Sequence, residues 1–331
     1  MKIWKNPQTY VSGVLERNRR VLAKTITLIE SSNAEHQALA RTVLDQLLPH
    51  TGKSVRLGIT GVPGVGKSTF IERFGMMLVK EGHRVAVLAV DPSSTKSGGS
   101  IMADKTRMER LSVEKDAYIR PSPSGDTLGG VARKTRETML VCEAAGFDVI
   151  IVETLGVGQS EIRVASMVDF FLILMLAGAG DELQGIKKGI LEMADAIAIN
   201  KADGDNVEKA EKAKRAYSAA LNLLHPSSPT WIPAVLTCSA TEMKGVDTIW
   251  DTILTHNKKL IDSGELADKR KRQALDWMWS ILDQGLKDRF YKHPDIEKVL
   301  PKITYEVENG LTAPTDAAYA LLALLNHMRV H

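Results

Sequence analysis

Eight consecutive residues, Gly61-Val-Pro-Gly-Val-Gly-Lys-Ser68, have the types and spacing that hold a phosphate. They fit Gly-x4-Gly-Lys-Ser/Thr, the pattern of a phosphate-binding P-loop. Gly61, Gly64 and Gly66 lack a Cβ, so the backbone can turn tightly and bring its amides against phosphate oxygens. Those amides form an anion cradle at the positive end of the helix that follows. Lys67 reaches the β- and γ-phosphates of a nucleotide, and the Ser68 hydroxyl suits magnesium. The expected nucleotide contacts here are Gly61, Val62, Pro63, Gly64, Val65, Gly66, Lys67, Ser68 and Thr69.

Carboxylates end two further apolar runs. Asp91 closes Val85–Val90 and reads either as a magnesium-shell ligand or as a turn cap. Asp104, in the Gly-Ser-rich stretch that follows, is a second possible contributor to the metal shell. Glu153 closes Val149–Val152, the place of a Walker B carboxylate, and Gly156 can offer its amide to a γ-phosphate. Lys67, Asp91 and Glu153 are the candidate catalytic set; Ser68, Asp91, Asp104 and Glu153 are the candidate magnesium set. Ras-like enzymes place a water-orienting Gln directly after this glycine. Here that position is Val157, and Gln159 lies two residues further on, so slow intrinsic hydrolysis is expected.

Asn200-Lys-Ala-Asp203 points to the base. Asp203 can accept from the ring N–H and 2-amino group of guanine, two donors that adenine lacks. Asn200 can meet the ring nitrogen and carbonyl side, and the Lys201 stem can lie along the ring face. A site built on such polar pairs rejects a base that leaves its carboxylate unpaired. Cys238-Ser-Ala-Thr241 completes the site: the Ala240 amide faces the guanine carbonyl, Ser239 buttresses Asp203, and Thr241 follows. Cys238 itself reads as a packed residue. GTP or GDP with Mg2+ is therefore the expected ligand.

The elements that must position these residues follow from periodicity. Candidate strands are 55–60, 84–90, 149–153, 170–176, 196–200 and 232–238, continuous apolar runs of the kind buried on both faces. Helical patterns between them supply crossovers, which predicts an α/β fold: a doubly wound, mainly parallel sheet binding ligands beyond the carboxyl ends of its strands. Residues 1–50 read as an N-terminal helical segment, 51–263 as the nucleotide-binding domain and 264–331 as a C-terminal helical arm. In that arm Leu275, Trp279, Leu282, Leu286 and Phe290 share a face, and the basic run 269–272 reads as a solvated flank. Leu321–Leu325 suggests a packed helix suited to an oligomer interface.

Composition narrows the classes further. With 331 residues, 44% hydrophobic and 25% charged, the chain can bury a core without staples. A net charge of +3 is too mild to suggest nucleic acid or a membrane surface as partner. Two cysteines far apart exclude a disulfide scaffold and suggest a reducing, cytoplasmic setting. The longest apolar stretch, 170–177, is far short of a membrane span.

Taken in order, Gly-Val-Pro-Gly-Val-Gly-Lys-Ser68, Asp91-Pro-Ser-Ser, Glu153-Thr-x-Gly-Val-Gly-Gln-Ser, Leu176-Ala-Gly-Ala-Gly-Asp-Glu-Leu-Gln-Gly-Ile-Lys187-Lys-Gly and Asn-Lys-Ala-Asp203 closely resemble the MeaB/ArgK GTPases. The resemblance runs over nearly the whole chain, and the 174–189 stretch is its most specific part. It implies a homodimeric GTPase of the SIMIBI class that acts as a chaperone for adenosylcobalamin-dependent methylmalonyl-CoA mutase, gating cofactor loading and protecting the mutase. It also implies that Gly178 to Lys188 is a mobile switch loop in which Asp181, Gln184 and Lys187 couple nucleotide state to the mutase. Two rival readings are a nickel-insertion GTPase, against which the scattered Cys and His argue, and an ATP-dependent kinase tied to basic amino-acid transport, against which Asn200 and Asp203 argue.

Overall fold

The computed structural model describes residues 3–90, 108–121, 128–154, 160–177, 188–223 and 228–326. Two compact units divide it, residues 1–270 and 271–331. The first opens with three helices, α1 (Pro7–Leu15), α2 (Arg19–Glu30) and α3 (Ala34–Leu47). Each is capped by an asparagine, Asn6, Asn18 or Asn33, whose side chain accepts from first-turn amides. The periodicity of Tyr10, Val14, Val21 and Ile26 reads as one helix, yet the structure breaks it in two. Arg17 turns the chain at φ 62° and Asn18 starts α2.

From there strands and helices alternate: β1 (Val55–Gly61), α4 (Lys67–Lys80), β2 (Val85–Val90), α5 (Glu109–Val113), β3 (Ala117–Arg120), α6 (Leu128–Ala144), β4 (Val149–Thr154), α7 (Ser160–Ala165), β5 (Phe170–Leu176), α8 (Lys188–Leu191), β6 (Ala196–Asn200), α9 (Val207–Leu221), β7 (Ala234–Thr237) and α10 (Val246–Asp262). The seven strands form one sheet in the order β3-β2-β4-β1-β5-β6-β7, and every pairing is parallel. The doubly wound parallel sheet expected from the sequence is therefore present. β3 is an addition, since the sequence reading contained no strand at 117–120.

Continuous apolar strands make sense in this sheet because both faces are covered. In β5, Phe170, Leu172 and Leu174 point into a core with Phe70, Phe74, Ile249 and Trp250. Phe171, Ile173 and Met175 point into the opposite core, built with α6, α7 and the N-terminal helices. Successive residues of a strand face opposite ways, so a strand between two cores needs no polar alternation.

Carboxylates and guanidinium groups tie the amino ends of β1 and β5 together. Asp169, just before β5, is buried at 1% exposure. It accepts from the Arg56 amide at 2.9 Å and, through both oxygens, from Arg270 Nε at 2.9 Å and Nη2 at 2.6 Å. Arg270 also donates to the carbonyls of Gly52 and Ser54, and Lys269 Nζ donates to the Asp169 carbonyl at 2.6 Å, so the first two residues of the 269–272 run, expected to be a solvated flank, are instead tied into this cluster. Beside it, Glu143 of α6 accepts from Arg56 Nε at 2.8 Å and Nη2 at 3.0 Å, from the Gly52 amide at 2.8 Å and from the Ser54 hydroxyl. Burial alone would raise the Glu143 pKa; Arg56, Ser54 and Gly52 outweigh it and hold the carboxyl below its ordinary value. That stabilisation is present above the unfolded-state pKa and is lost as pH falls through the folded one.

The second unit holds the rest of α11 (Glu265–Tyr291), with α12 (Pro294–Glu308) and α13 (Pro314–Asn326). Ile296 and Ala317 are buried, whereas Leu275, Met278, Trp279, Leu282 and Leu286 of α11 are exposed.

Removing one partner of a buried, hydrogen-bonded ion pair strands the other. Asp169→Ala should therefore cost about 3 kcal/mol of stability, read as a lower midpoint in urea unfolding. A midpoint equal to wild type would show that this cluster contributes nothing.

Candidate functional site

Strand order gathers the candidate residues at one end of the sheet. β1 lies between β4 and β5, and β6 lies between β5 and β7. The carboxyl ends of β4, β1, β6 and β7 therefore present Glu153, Gly61, Asn200 and Cys238-Ser239 along one edge. Gly61 pairs with Leu174, Leu176 with Asn200, and Ile199 with Thr237. Thr154 donates its hydroxyl to Thr60 at 2.7 Å, fixing the ends of β4 and β1 to each other.

The loop from Gly61 to Gly66 leaves β1 and enters α4. A Cβ on Gly61 would lie 2.6 Å from the Leu174 carbonyl oxygen, so only glycine fits at this turn. Gly66 takes φ 87°, and no side chain caps the first turn of α4. A helix start with no capping side chain can turn its first amides toward an anion. Val65 is buried in the core with Phe70 and pins the loop from below. Lys67 opens α4. Ser68 Oγ faces Glu153 Oε1 at 3.5 Å, which brings a hydroxyl and a carboxylate together. Oxygen donors of that kind suit magnesium, which keeps several waters and binds few protein groups.

The loop that carries Asn200, Lys201 and Asp203 leans on this one. Asn200, at 2% exposure, donates Nδ2 to the Val65 carbonyl at 2.8 Å and accepts the Ala240 amide on Oδ1 at 3.2 Å, so the amide expected to face a guanine carbonyl is directed at Asn200 in this structure. Lys201 stands at φ 60° and donates Nζ to the Gly64 carbonyl at 2.9 Å. Its stem thereby bridges the space between the two loops. Asp203 accepts the Ser239 hydroxyl and, at 3.3 Å, the Thr241 hydroxyl, both on Oδ2. Among the described residues Oδ1 accepts no hydrogen bond, so the carboxylate keeps acceptor capacity for a ligand. Ser239 is fully buried, and its amide donates to the Lys244 carbonyl at 2.9 Å, closing the turn that carries it.

The structure thus brings together Gly61 to Thr69, Ser68 with Glu153, and Asn200, Lys201 and Asp203 with Ser239, Ala240 and Thr241. Asp91, Asp104, Gly156, Val157, Gln159 and the 178–187 stretch with Asp181, Gln184 and Lys187 lie outside the described residues. Sequence reasoning missed the cross-links themselves: Asn200 to Val65, Lys201 to Gly64, Thr241 to Asp203 and the Thr60–Thr154 pair. Motif spacing carries no signal for them, because each joins residues from distant parts of the chain. Among the described residues no group of three or more His, Cys, Asp and Glu could hold a metal ion, and no helix is long and apolar enough to cross a membrane.

Comparison with known proteins places the chain among GTPases. The family model described as methylmalonyl Co-A mutase-associated GTPase MeaB matches residues 22–295. A Caulobacter vibrioides protein described as a putative GTPase is 56% identical over 92% of this chain and 94% of its own length. The Mus musculus protein named methylmalonic aciduria type A homolog, mitochondrial, is 46% identical over 94% of this chain and 77% of its own. A crystal structure described as a LAO/AO transport system kinase superposes with TM-score 0.79 at 39% identity, over 98% of this chain and 99% of that one.

If Asp203 reads the base, replacing its charge costs two charge-assisted hydrogen bonds. Asp203→Asn should weaken GDP by about 100-fold, roughly 3 kcal/mol, while inorganic pyrophosphate binds as before. An unchanged preference for GDP over ADP in this variant would remove Asp203 from the base site.

Proposed function

The chain belongs to the MeaB family of methylmalonyl-CoA mutase-associated GTPases, and from that premise we propose a slow GTPase whose nucleotide state governs a larger enzyme. That enzyme is adenosylcobalamin-dependent methylmalonyl-CoA mutase, and the work done is gating its cofactor loading and protecting it. Guanine-nucleotide binding goes with the family. The observation that carries the reading is the pairing of an uncapped helix start behind Gly66 with a base-reading carboxylate, Asp203, held by Ser239 and Thr241.

In this reading Gly61 to Thr69 cradle the phosphates, with Lys67 drawing charge from the β- and γ-oxygens. Asn200, Lys201 and Asp203 hold guanine, backed by Ser239, Ala240 and Thr241. Ser68, Glu153, Asp91 and Asp104 form the magnesium environment; the ion would neutralise charge on the phosphate oxygens. Within the 178–188 stretch, Asp181, Gln184 and Lys187 couple nucleotide state to the mutase. Val157 in place of a water-orienting Gln supports turnover well below the typical enzymatic rate of about 10 per second.

The exposed apolar face of α11, with Leu275, Met278, Trp279, Leu282 and Leu286, supports a homodimer joined through the C-terminal helices. Sedimentation equilibrium should then report about twice the 36.3 kDa of one chain, and a monomer at micromolar concentration would exclude it. Both cysteines are free and buried, in keeping with a reducing cytoplasm.

The deciding experiment is GTP hydrolysis with and without purified mutase, with ATP as control. Slow GTP turnover that responds to the mutase, with none for ATP, is expected. GTP turnover indifferent to the mutase would remove the partner assignment. Preferred ATP turnover would overturn the base assignment and favour the transport-kinase reading.

A further inference from the structure

Cys238 directly follows β7 and lies behind the loop of Asn200 to Asp203 at 2% exposure. Its amide donates to the Ile199 carbonyl and its carbonyl accepts from the Ala202 amide, both at 2.9 Å. The backbone of Cys238 is therefore locked between the residues just before and just after Asn200-Lys201. Its thiol points back at the same place, with Sγ 3.6 Å from Asn200 Oδ1.

The orientation of the Asn200 amide is forced by its neighbours. The Val65 carbonyl can only accept, so it must face Nδ2; the Ala240 amide can only donate, so it must face Oδ1. The Cys238 thiol adds a second donor to Oδ1. Nδ2 carries two hydrogens and Val65 takes one, which leaves the other for a ligand. Burial pushes the Cys238 thiol up to about 12, so at neutral pH the sulfur keeps its proton and remains a donor. A thiolate at this position would repel Oδ1 instead.

We propose that Cys238 is a positioning residue for guanine recognition: its thiol, with the Ala240 amide, fixes Oδ1 of Asn200 and so aims the remaining Nδ2 hydrogen at N7 of the base. The assignment rests on the guanine-nucleotide reading above and adds to it a residue that touches no ligand. It gives this cysteine a polar task in place of the packing role that the sequence suggests.

The test uses the full chain with Mg2+ and compares GDP with 7-deaza-GDP, which differs only in lacking the N7 acceptor. Wild type should bind GDP about 10-fold more tightly than the deaza analogue. Cys238→Val, similar in shape but without a donor, should bind GDP about 5-fold more weakly and the deaza analogue within about twofold of wild type. Cys238→Ser keeps a donor and should keep the wild-type ratio. If the valine variant does not fold, Cys238→Ala is read in the same way. Equal loss for both nucleotides would make Cys238 a packing residue only, and unchanged GDP affinity would overturn the assignment outright. A wild-type chain that binds ADP as tightly as GDP would overturn the guanine reading and this assignment with it, a failure separable from the variant outcomes.

Discussion

Two carbonyl groups of the Gly61–Gly66 loop, those of Gly64 and Val65, are held by Lys201 and Asn200 from a loop more than 130 residues away in sequence. These bonds decide how the two halves of the site meet. β5 separates β1 from β6, so their ends stand about 10 Å apart, two strand spacings. Side chains must span that gap, and a long lysine stem and a buried asparagine do so. The left-handed turn at Lys201 and the glycine at Gly66 both serve this close approach: a Cβ on Gly66 would sit 3.1 Å from Asn200 Nδ2. The Gly61–Gly66 loop is thereby held against the loop that carries Asp203.

The opposite end of the sheet has a different job. Asp169, Arg270, Arg56 and Glu143 bind one another at the amino ends of β1 and β5, and every oxygen of the two carboxylates accepts at least one hydrogen bond. The same two strands end, at their other side, in the phosphate loop and in the stretch that leads to 178–187. Rigid, doubly buried strands thus separate an end whose carboxylates are paired, which holds structure, from an end with spare hydrogen-bonding capacity. Arg270 belongs to the first turns of α11, which this cluster holds within the first unit.

Much of this arrangement is legible in the sequence, and the reasons differ by element. β1, β4, β5 and β6 are long apolar runs between two cores, and composition alone marks them. β3 escapes because Ala117-Tyr-Ile-Arg120 is four residues long, lies at the sheet edge and carries an arginine that pairs with Glu30. The first of the two N-terminal helices expected from periodicity is really two, since Asn18 caps a new helix after the turn at Arg17. Gly61, Lys67, Ser68 and Asp203 announce themselves by spacing. The roles of Thr241 and Cys238 do not, because they depend on which side chains the sheet brings within reach, and local sequence carries no record of that.

The central claim is that the base-reading loop and the phosphate loop work as one site for a guanine nucleotide. Calorimetric titration of the unmodified chain with GDP, and separately with ADP, both with Mg2+, tests it most directly. The account predicts GDP affinity at least about 100-fold above ADP, since adenine leaves Asp203 without its donors. Equal affinity for the two would show that the phosphate loop binds alone and that the contacts from Asn200 and Lys201 serve only to hold the fold.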